Sequence, residues 1–388
     1  MKNFLKSISL IASLLIILSI FFVCSNNEVP IDELKKLTNK QFGSPPSRST
    51  VNPDTINIAV DISESMKGFV NTNSFQSLLQ RTKTALGPIA NVNYFAFDTS
   101  LFSVNNFLKF FDPNFYNGPG ANFNYIFSLK QRDTNSILIT VTDLQFNNNA
   151  RYFDLVDLFQ REIARGRYIK IFSAKPDFNG QIFPQFINKV KFKHNGQRPL
   201  YAIAIGERKH ANFIEKVLRK GMPWDNSLTL SNKTPVDWKI FRSNKEITSP
   251  DEIKMDQRDS LHIKLRIVGP CIFEWRNWSK DEIQSELFSY KDPKFILENG
   301  NFEVRNILTT NDTCTITLFI KDINPSPHKL FCVFLRPNRV PDWISSQSCA
   351  PNGDQAKKTV KLEEFIKDII SPITNPFTIT ELQFFIND

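Results

Sequence analysis

Residues 56–65, INIAVDISES, predict a buried strand that runs directly into a polar loop. Side chains at alternate positions of an extended segment point the same way, so Asp61, Ser63 and Ser65 are expected to converge on one point. One carboxylate and two hydroxyls are hard oxygen donors, which suit a divalent cation such as Mg²⁺, Mn²⁺ or Ca²⁺. Because only one of the three donors is charged, a bound cation would stay electron-poor and would accept an acidic oxygen from a partner molecule.

A second apolar strand, residues 137–143 with the sequence ILITVTD, ends in Thr142 and Asp143. Together the two stretches resemble the metal-ion-dependent adhesion site of von Willebrand factor A domains. That family has Asp-x-Ser-x-Ser after its first strand, a Thr on a second loop and an Asp on a third loop. The resemblance covers about residues 54–220 and implies an α/β fold of the von Willebrand A-like, Rossmann-like type.

Two positions depart from the family pattern. The loop 118–122, GPGAN, resembles the Gly-Gly-Thr loop, but Ala121 stands where the family has Thr. Asn122 or Asn124 offers an amide oxygen in its place. Leu144 stands where a Gly usually follows the third-loop Asp.

The resemblance implies cation-bridged recognition of a protein partner. Asp61, Ser63 and Ser65 would hold Mg²⁺ or Mn²⁺, with Ca²⁺ as an alternative, and Asp143 would support the cation. An acidic side chain of the partner would complete the coordination. The alternative is a site without metal, because Asp, Ser and Thr after a strand are also common helix caps and turn formers.

Alternating strand and helix patterns across residues 54–222 predict a mainly parallel sheet with helices on both faces. In such sheets, ligands bind beyond the carboxyl ends of the strands, where Asp61 and Asp143 both lie. The strand order implied by the resemblance makes their two strands neighbours, so the two residues are expected to meet. Between residues 174 and 198 this alternation breaks, and the sequence predicts an inserted hairpin.

Residues 235–340 have a different texture, with short strands such as 261–267 and 314–320 that alternate apolar and polar side chains. This pattern predicts an antiparallel β-sandwich as a second domain. Residues 341–388 are expected to form a C-terminal appendage with a short amphipathic helix and a last strand. A length of 388 residues is compatible with two domains.

The N-terminus has the pattern of a secretory signal: Lys2 and Lys6 precede an apolar run that ends at Cys24. Residues 1–24 resemble a bacterial lipoprotein signal, in which Cys24 becomes the lipidated first residue. An uncleaved membrane anchor and soluble secretion are the alternatives. Residues 25–53 have linker composition. The resemblance implies a protein held at the membrane of a bacterial cell envelope, facing away from the cytoplasm.

The net charge and the motifs that are missing limit the classes of function that the sequence supports. The net charge is +9, but the basic residues form no dense patch and no nucleic-acid-binding motif is present. No motif for a nucleophile, a phosphate-binding loop or a catalytic zinc is found, so the chain is expected not to be an enzyme. The predicted function is metal-dependent protein binding, and the alternative is a metal-independent structural or assembly component of an envelope complex.

Four cysteines follow Cys24, and all lie in the C-terminal half of the chain: Cys271, Cys314, Cys332 and Cys349. In an oxidising compartment, an even number permits up to two disulfides. Buried thiols are the alternative.

Overall fold

The protein was analysed as a computed structural model. It describes residues 30–42, 51–86, 91–132, 135–145, 149–187, 190–214, 224–231, 237–242, 245–247, 253–254, 260–268, 283–298, 302–309, 314–321, 329–335, 340–371 and 380–387. Residues 1–24, predicted as a signal segment or membrane anchor, and Cys271 therefore lie outside the described residues. Among the described residues, no helix is both long and apolar enough to cross a bilayer.

Helices and strands alternate along the first half of the described chain, and strands dominate from residue 226 to residue 335. The α-helices are Ile31–Phe42, Lys67–Val70, Asn73–Leu86, Phe123–Arg132, Asn149–Ala164, Ala211–Phe213, Asp342–Gln347 and Leu362–Ile370. Short 3₁₀ helices are Glu64–Met66, Phe107–Phe111, Pro113–Phe115 and Arg208–His210. The strands are β1 Thr55–Asp61, β2 Asn91–Phe97, β3 Leu101–Ser103, β4 Ser136–Thr142, β5 Arg167–Ala174, β6 Asp177–Ile182, β7 Phe192–Gln197, β8 Leu200–Glu207, β9 Asn226–Leu230, β10 Asp237–Arg242, β11 Lys245–Ile247, β12 Ile253–Lys254, β13 Ser260–Val268, β14 Ile283–Lys291, β15 Lys294–Glu298, β16 Phe302–Thr309, β17 Cys314–Lys321, β18 Lys329–Leu335, β19 Ser348–Cys349, β20 Thr359–Val360 and β21 Thr380–Asn387.

A seven-stranded sheet organises the first part of the chain, with the strand order β3-β2-β1-β4-β8-β5-β9. Strand β1 is central and pairs in parallel with both β2 and β4. The other neighbouring pairs, β2–β3, β4–β8, β8–β5 and β5–β9, are antiparallel. The sheet is therefore mixed, and the prediction of a mainly parallel sheet is wrong.

The connection between β5 and β8 explains why β8 is antiparallel to its neighbours and the sheet is mixed. Parallel neighbours need a crossover of about a dozen or more residues, usually a helix, to return the chain to the same edge. After β5 the chain instead forms the hairpin β6–β7, and β8 then runs back beside β5 in the opposite direction. The hairpin expected between residues 174 and 198 is present, and it reverses the strand that follows.

Buried apolar side chains cover both faces of this sheet, as strands enclosed on two sides require. On one face, Ile56, Ile58 and Val60 of β1 pack in a cluster with the buried side of helix Asn73–Leu86. On the other face, Leu138 of β4 belongs to a cluster with helix Asn149–Ala164. The α/β character predicted from the sequence is confirmed.

Residues 340–371, predicted as part of a C-terminal appendage, pack against the helix Asn149–Ala164. Tyr152 donates a hydrogen bond to Asp368 Oδ2 at 2.6 Å. Phe365 is fully buried, and its ring lies 5.9 Å from Tyr152 and 5.6 Å from Phe159 between centroids. The helix Leu362–Ile370 thereby covers apolar surface of the first part of the chain.

Two five-stranded sheets follow, with the orders β11-β10-β13-β17-β16 and β12-β21-β18-β14-β15. All neighbouring pairs of the first sheet are antiparallel, and β12–β21 is a parallel pair in the second. Leu265 of β13 and Leu287 of β14 belong to the same buried cluster. Strands β14 and β15 were not predicted from the sequence. Cys314 in β17 and Cys332 in β18 are buried.

The predicted linker 25–53 contains a helix, Ile31–Phe42. This helix forms a small compact unit with residues 291–295. Gln41 Nε2 donates to the Phe295 carbonyl at 2.8 Å, and the Phe295 N–H donates to Gln41 Oε1 at 3.0 Å. The paired bonds fix the end of the helix against the main chain of β15.

Candidate functional site

The carboxyl end of β1 forms the base of the candidate site. Asp61 is the last residue of β1, and its Oδ1 accepts a hydrogen bond from the Ser63 N–H at 2.8 Å. This contact closes a tight turn of the kind that Asp favours. The turn brings Ser63 Oγ to 3.0 Å from Ser65 Oγ. The three residues that the sequence grouped together therefore do lie together.

Strand β4 brings a second group of polar side chains to the same point. Thr142 is the last residue of β4, and its hydroxyl donates to Asp61 Oδ2 at 2.8 Å. The Thr142 oxygen in turn accepts the Leu144 N–H at 3.2 Å. Both oxygens of Asp61 are thus engaged, one by its own loop and one by the neighbouring strand.

Asp143 lies beside this pair and is only 1 % exposed. Its Oδ1 accepts the Gln145 N–H at 3.2 Å. Its Oδ2 receives no hydrogen bond from the described residues. The closest cation to Oδ2 is Arg198, whose Nη1 lies 3.6 Å away. Asp143 therefore has unused acceptor capacity inside the protein.

The backbone after Asp143 turns sharply. Leu144 has φ of +52°, in the left-handed region that non-glycine residues rarely adopt. Its side chain is fully buried in the core beside the sheet. Von Willebrand factor A domains usually have Gly at this position. Here Leu144 has the left-handed backbone conformation, and its side chain packs in the core.

The electrostatics follow from two acids enclosed at one place. Burial, and next the negative charge of Asp143, raises the pKa of Asp61 to about 7. Hydrogen bonds from Ser63 and Thr142 oppose this rise. Burial also raises the pKa of Asp143, while Arg198 and the Ser65 hydroxyl lower it. Enclosing the two acids together therefore favours the neutral form of Asp61 up to about pH 7.

The second loop meets the first at Gly118. The Glu64 N–H donates to the Gly118 carbonyl at 2.9 Å, and the Gly118 N–H donates to the Ile62 carbonyl at 3.1 Å. Ala121 offers no side-chain oxygen, and its carbonyl accepts from Arg151 Nη1 at 3.1 Å. The second loop is therefore hydrogen-bonded to the first at Gly118, but Ala121 supplies no Thr hydroxyl to the site.

Asn122 and Asn124 are used within their own loop. Asn122 Oδ1 accepts the Asn124 N–H at 3.1 Å, and the Asn122 N–H donates to the Asp98 carbonyl at 2.6 Å. Among the described residues, no hydrogen bond joins either side chain to Asp61 or Asp143. Both line a small pocket of about 80 Å³ together with Gln145.

Arg198 is the member of the site that sequence reasoning missed. It follows strand β7, and its side chain is only 4 % exposed. Its guanidinium carbon lies 5.2 Å from the centroid of the Phe178 ring. With the Gln145 amide oxygen turned toward it, the guanidinium also donates from Nη1 to that oxygen at 3.0 Å. No local sequence motif identifies Arg198 as part of the site.

The donor set fits a small divalent cation. Neighbouring oxygens on an octahedral Mg²⁺ are separated by about 3 Å, since each lies about 2.1 Å from the metal. Ser63 Oγ and Ser65 Oγ have this separation, and Asp143 Oδ2 has spare acceptor capacity. The described part of the chain holds no group of three or more His, Cys, Asp or Glu that could hold a metal ion.

Comparisons with known proteins assign no family. No protein-family model matches the chain, and no curated protein matches it. Among solved structures, the chain is similar to "Crystal structure of Dpr2 Ig1-Ig2 in complex with DIP-Theta Ig1-Ig3", with 10 % sequence identity and a TM-score of 0.16. The match covers 44 % of this chain and 50 % of that chain, about half its length. A TM-score this low carries no argument about fold or function.

Proposed function

We propose that this chain is a protein-binding component of a bacterial cell envelope that recognises its partner through a divalent cation. Asp61, Ser63 and Ser65 hold Mg²⁺ or Mn²⁺, while Thr142 and Asp143 support it. An acidic side chain of the partner completes the coordination. The observation that carries the proposal is the meeting of Asp61 and Thr142, 81 positions apart, at one sheet edge beside a serine pair 3.0 Å apart.

The proposal includes a finer description of the fold. The first part of the chain is taken as a von Willebrand A-like domain, with β1 central, β2 and β4 parallel to it, and helices on both faces. The two five-stranded sheets are taken as a β-sandwich, because Leu265 and Leu287 belong to one buried cluster. The antiparallel strand β8 is a departure from a mainly parallel arrangement.

A second candidate function is metal-independent assembly within an envelope complex. The observation that favours it is the ion pair between Arg198 and Asp143, which already places a positive charge at the site. Asp61, Ser63 and Ser65 are also only 1 %, 5 % and 7 % exposed. A partner carboxylate reaches a cation there only if the covering residues move.

Titration calorimetry with Mg²⁺ and Mn²⁺ distinguishes the two functions. We expect saturable binding to the purified protein that is lost in Asp61→Ala. Asp157→Ala is the matched control, because Asp157 is an exposed carboxylate on the helix Asn149–Ala164. If neither cation binds the unsubstituted protein, the cation-dependent function is wrong and the metal-independent one is retained.

The envelope location rests on the N-terminal sequence alone. We propose that Cys24 carries a lipid and anchors the protein to the membrane. Metabolic labelling with a radioactive fatty acid tests this directly. Label in the unsubstituted protein that is absent from Cys24→Ser supports lipidation, whereas a membrane-bound but unlabelled protein supports an uncleaved anchor.

A further inference from the structure

We propose that Arg198 is a built-in competitor of the divalent cation, and that the β6–β7 hairpin carrying it is loosened when the cation binds. This inference rests on the proposed function, because it concerns the regulation of the same site. In this proposal, Arg198 sets the affinity for the cation, and the hairpin covers the cation site.

Arg198 is fixed in place from both ends of the residue. Its backbone N–H donates to the Pro176 carbonyl at 3.1 Å, which closes the base of the hairpin. Its guanidinium lies 3.6 Å from Asp143 Oδ2 and packs on the Phe178 ring of the same hairpin. A nearly buried guanidinium facing a buried carboxylate acts as a fixed positive charge.

The body of the hairpin packs on the segment that follows the Asp-x-Ser-x-Ser loop. The Phe178 ring meets Phe69 edge to face, with centroids 4.9 Å apart. Close to it, the Thr72 hydroxyl donates to the Asp177 carbonyl at 3.1 Å. The Asp177 N–H donates to Ser74 Oγ at 2.8 Å. Through Arg198 and Phe178, the hairpin therefore contacts both Asp143, just after β4, and the segment that follows Ser65.

The chemistry makes Arg198 and the cation antagonists. Asp61 and Asp143 are both 1 % exposed, so their negative charge is compensated by protein groups rather than by water. Arg198 supplies one positive charge to this pair. A divalent cation between Asp61 and Asp143 supplies two and repels the guanidinium at short range, where the surrounding protein screens weakly.

Coupling between two sites is reciprocal. If docking of Arg198 weakens cation binding, then cation binding must weaken the docking of Arg198 and of the hairpin. Strand β6 contacts the 3₁₀ helix Glu64–Met66, so release of the hairpin would expose Ser65 and open the site to an acidic side chain of a partner.

The first test compares Mn²⁺ affinity by calorimetry in three proteins. We expect Arg198→Met to bind Mn²⁺ at least tenfold more tightly than the unsubstituted protein. Arg161→Met is the matched control, because it removes one positive charge from an exposed ion pair with Asp157. The control is expected to leave the affinity within about twofold.

The second test needs no substitution, and it decides the matter if Arg198→Met does not fold. Hydrogen exchange of the backbone amides of β6 and β7 is measured in the unsubstituted protein, with and without saturating Mn²⁺. We expect exchange in the hairpin to become several-fold faster with Mn²⁺. Slower or unchanged exchange at saturation would overturn the inference.

The outcomes separate this inference from the proposed function. Equal Mn²⁺ affinity in Arg198→Met and in the unsubstituted protein overturns the inference and leaves cation-dependent recognition intact. Binding that appears only in Arg198→Met shows that Arg198 excludes the cation, but it overturns cation-dependent recognition by the unsubstituted protein. No binding of Mn²⁺ to any of the three proteins overturns both.

Discussion

Thr142 Oγ1 donates a hydrogen bond to Asp61 Oδ2 at 2.8 Å, across two neighbouring parallel strands. The contact joins the last residue of β4 to the last residue of β1 in a place closed to solvent. A hydrogen bond to a buried acid orients it and partly offsets the cost of enclosing it. Thr142 therefore holds Asp61 in the position that the proposed cation site requires.

Replacing Thr142 tests this role, and strand β4 provides its own control. Thr142→Val removes the donor and leaves Asp61 Oδ2 less satisfied, so we expect a loss of about 1–3 kcal/mol in the free energy of unfolding. Thr140 is equally buried, but its hydroxyl lacks a hydrogen-bond partner in the described part of the chain. Thr140→Val should therefore be neutral or slightly stabilising. Equal losses for the two variants in thermal melts would contradict a specific role for Thr142.

The raised pKa of Asp61 predicts how stability depends on pH. Its pKa is about 7 in the folded protein, against about 3.9 in an unfolded chain. Between these values the folded state binds more protons than the unfolded state, so stability falls as pH rises through this window. A difference of this size corresponds to about 4 kcal/mol. The effect is fully present below about pH 4 and is lost above pH 7.

Asp61→Asn isolates this dependence from that of other acids. With chelator present, the variant should gain stability relative to the unsubstituted protein steadily from pH 5 to about pH 7, and the difference should level off at higher pH. Thermal unfolding at matched pH values measures the difference between the two proteins. Asp157→Asn removes an exposed carboxylate and should show no such trend. A difference between the Asp61 pair that stays constant across pH would contradict the raised pKa.

The local sequence was sufficient to predict the polar end of β1 and β4. A buried strand followed by alternating polar residues places Asp61, Ser63 and Ser65 together by geometry alone. Parallel neighbours with their carboxyl ends at one edge then bring Thr142 to Asp61. The grouping of Asp61, Ser63 and Ser65 depends on a short range of sequence, whereas the pairing of β1 with β4 was expected from the strand order that the resemblance implies.

Arg198 was not predictable in the same way. It is one of 48 lysines and arginines and has no spacing that marks it. Its place at Asp143 depends on how the hairpin β6–β7 packs over Phe69, which is a tertiary contact. The antiparallel direction of β8 was missed for a related reason, since the sequence indicated the hairpin but not the edge at which the chain returns.

The close approach of the hairpin to the segment after the loop predicts that alanine is unfavourable at two glycines, for different reasons. A Cβ at Gly180 would lie 2.6 Å from the Cα of Gly68, which is main chain and cannot move aside. A Cβ at Gly68 would collide with the Phe178 ring, which is a side chain. We expect Gly180→Ala and Gly68→Ala each to cost about 1–3 kcal/mol through overpacking.

Phe178→Leu separates the two collisions. In this background, Gly68→Ala should cost less, because the smaller side chain leaves room for the new methyl group. Gly180→Ala should cost as much as before, because its collision is with backbone. A double-mutant cycle on thermal unfolding measures both couplings. Equal coupling of Phe178 to the two glycines would contradict the observed packing.

The helix Leu362–Ile370 predicts that the C-terminal segment stabilises the first part of the chain. Its amphipathic pattern was readable in the sequence, but its partner, the helix Asn149–Ala164, lies about 200 residues earlier, as the Tyr152–Asp368 bond at a separation of 216 shows. The Phe365 ring is fully buried against Tyr152 and Phe159. Phe365→Ala should therefore cost about 3–5 kcal/mol through lost burial and the cavity left behind.

Phe153 supplies the matched control for this last substitution. It lies on the helix Asn149–Ala164 next to Tyr152 but is 61 % exposed, so Phe153→Ala should cost less than about 1 kcal/mol. Thermal unfolding measures the loss of stability in each variant. Hydrogen exchange of the β4 and β5 amides shows whether the loss of stability reaches the seven-stranded sheet. We expect faster exchange there in Phe365→Ala, because Phe365 packs on the helix Asn149–Ala164, which belongs to the same buried cluster as Leu138 of β4. Loss of protection confined to residues 340–371 would mean that the segment docks on the sheet domain without supporting it.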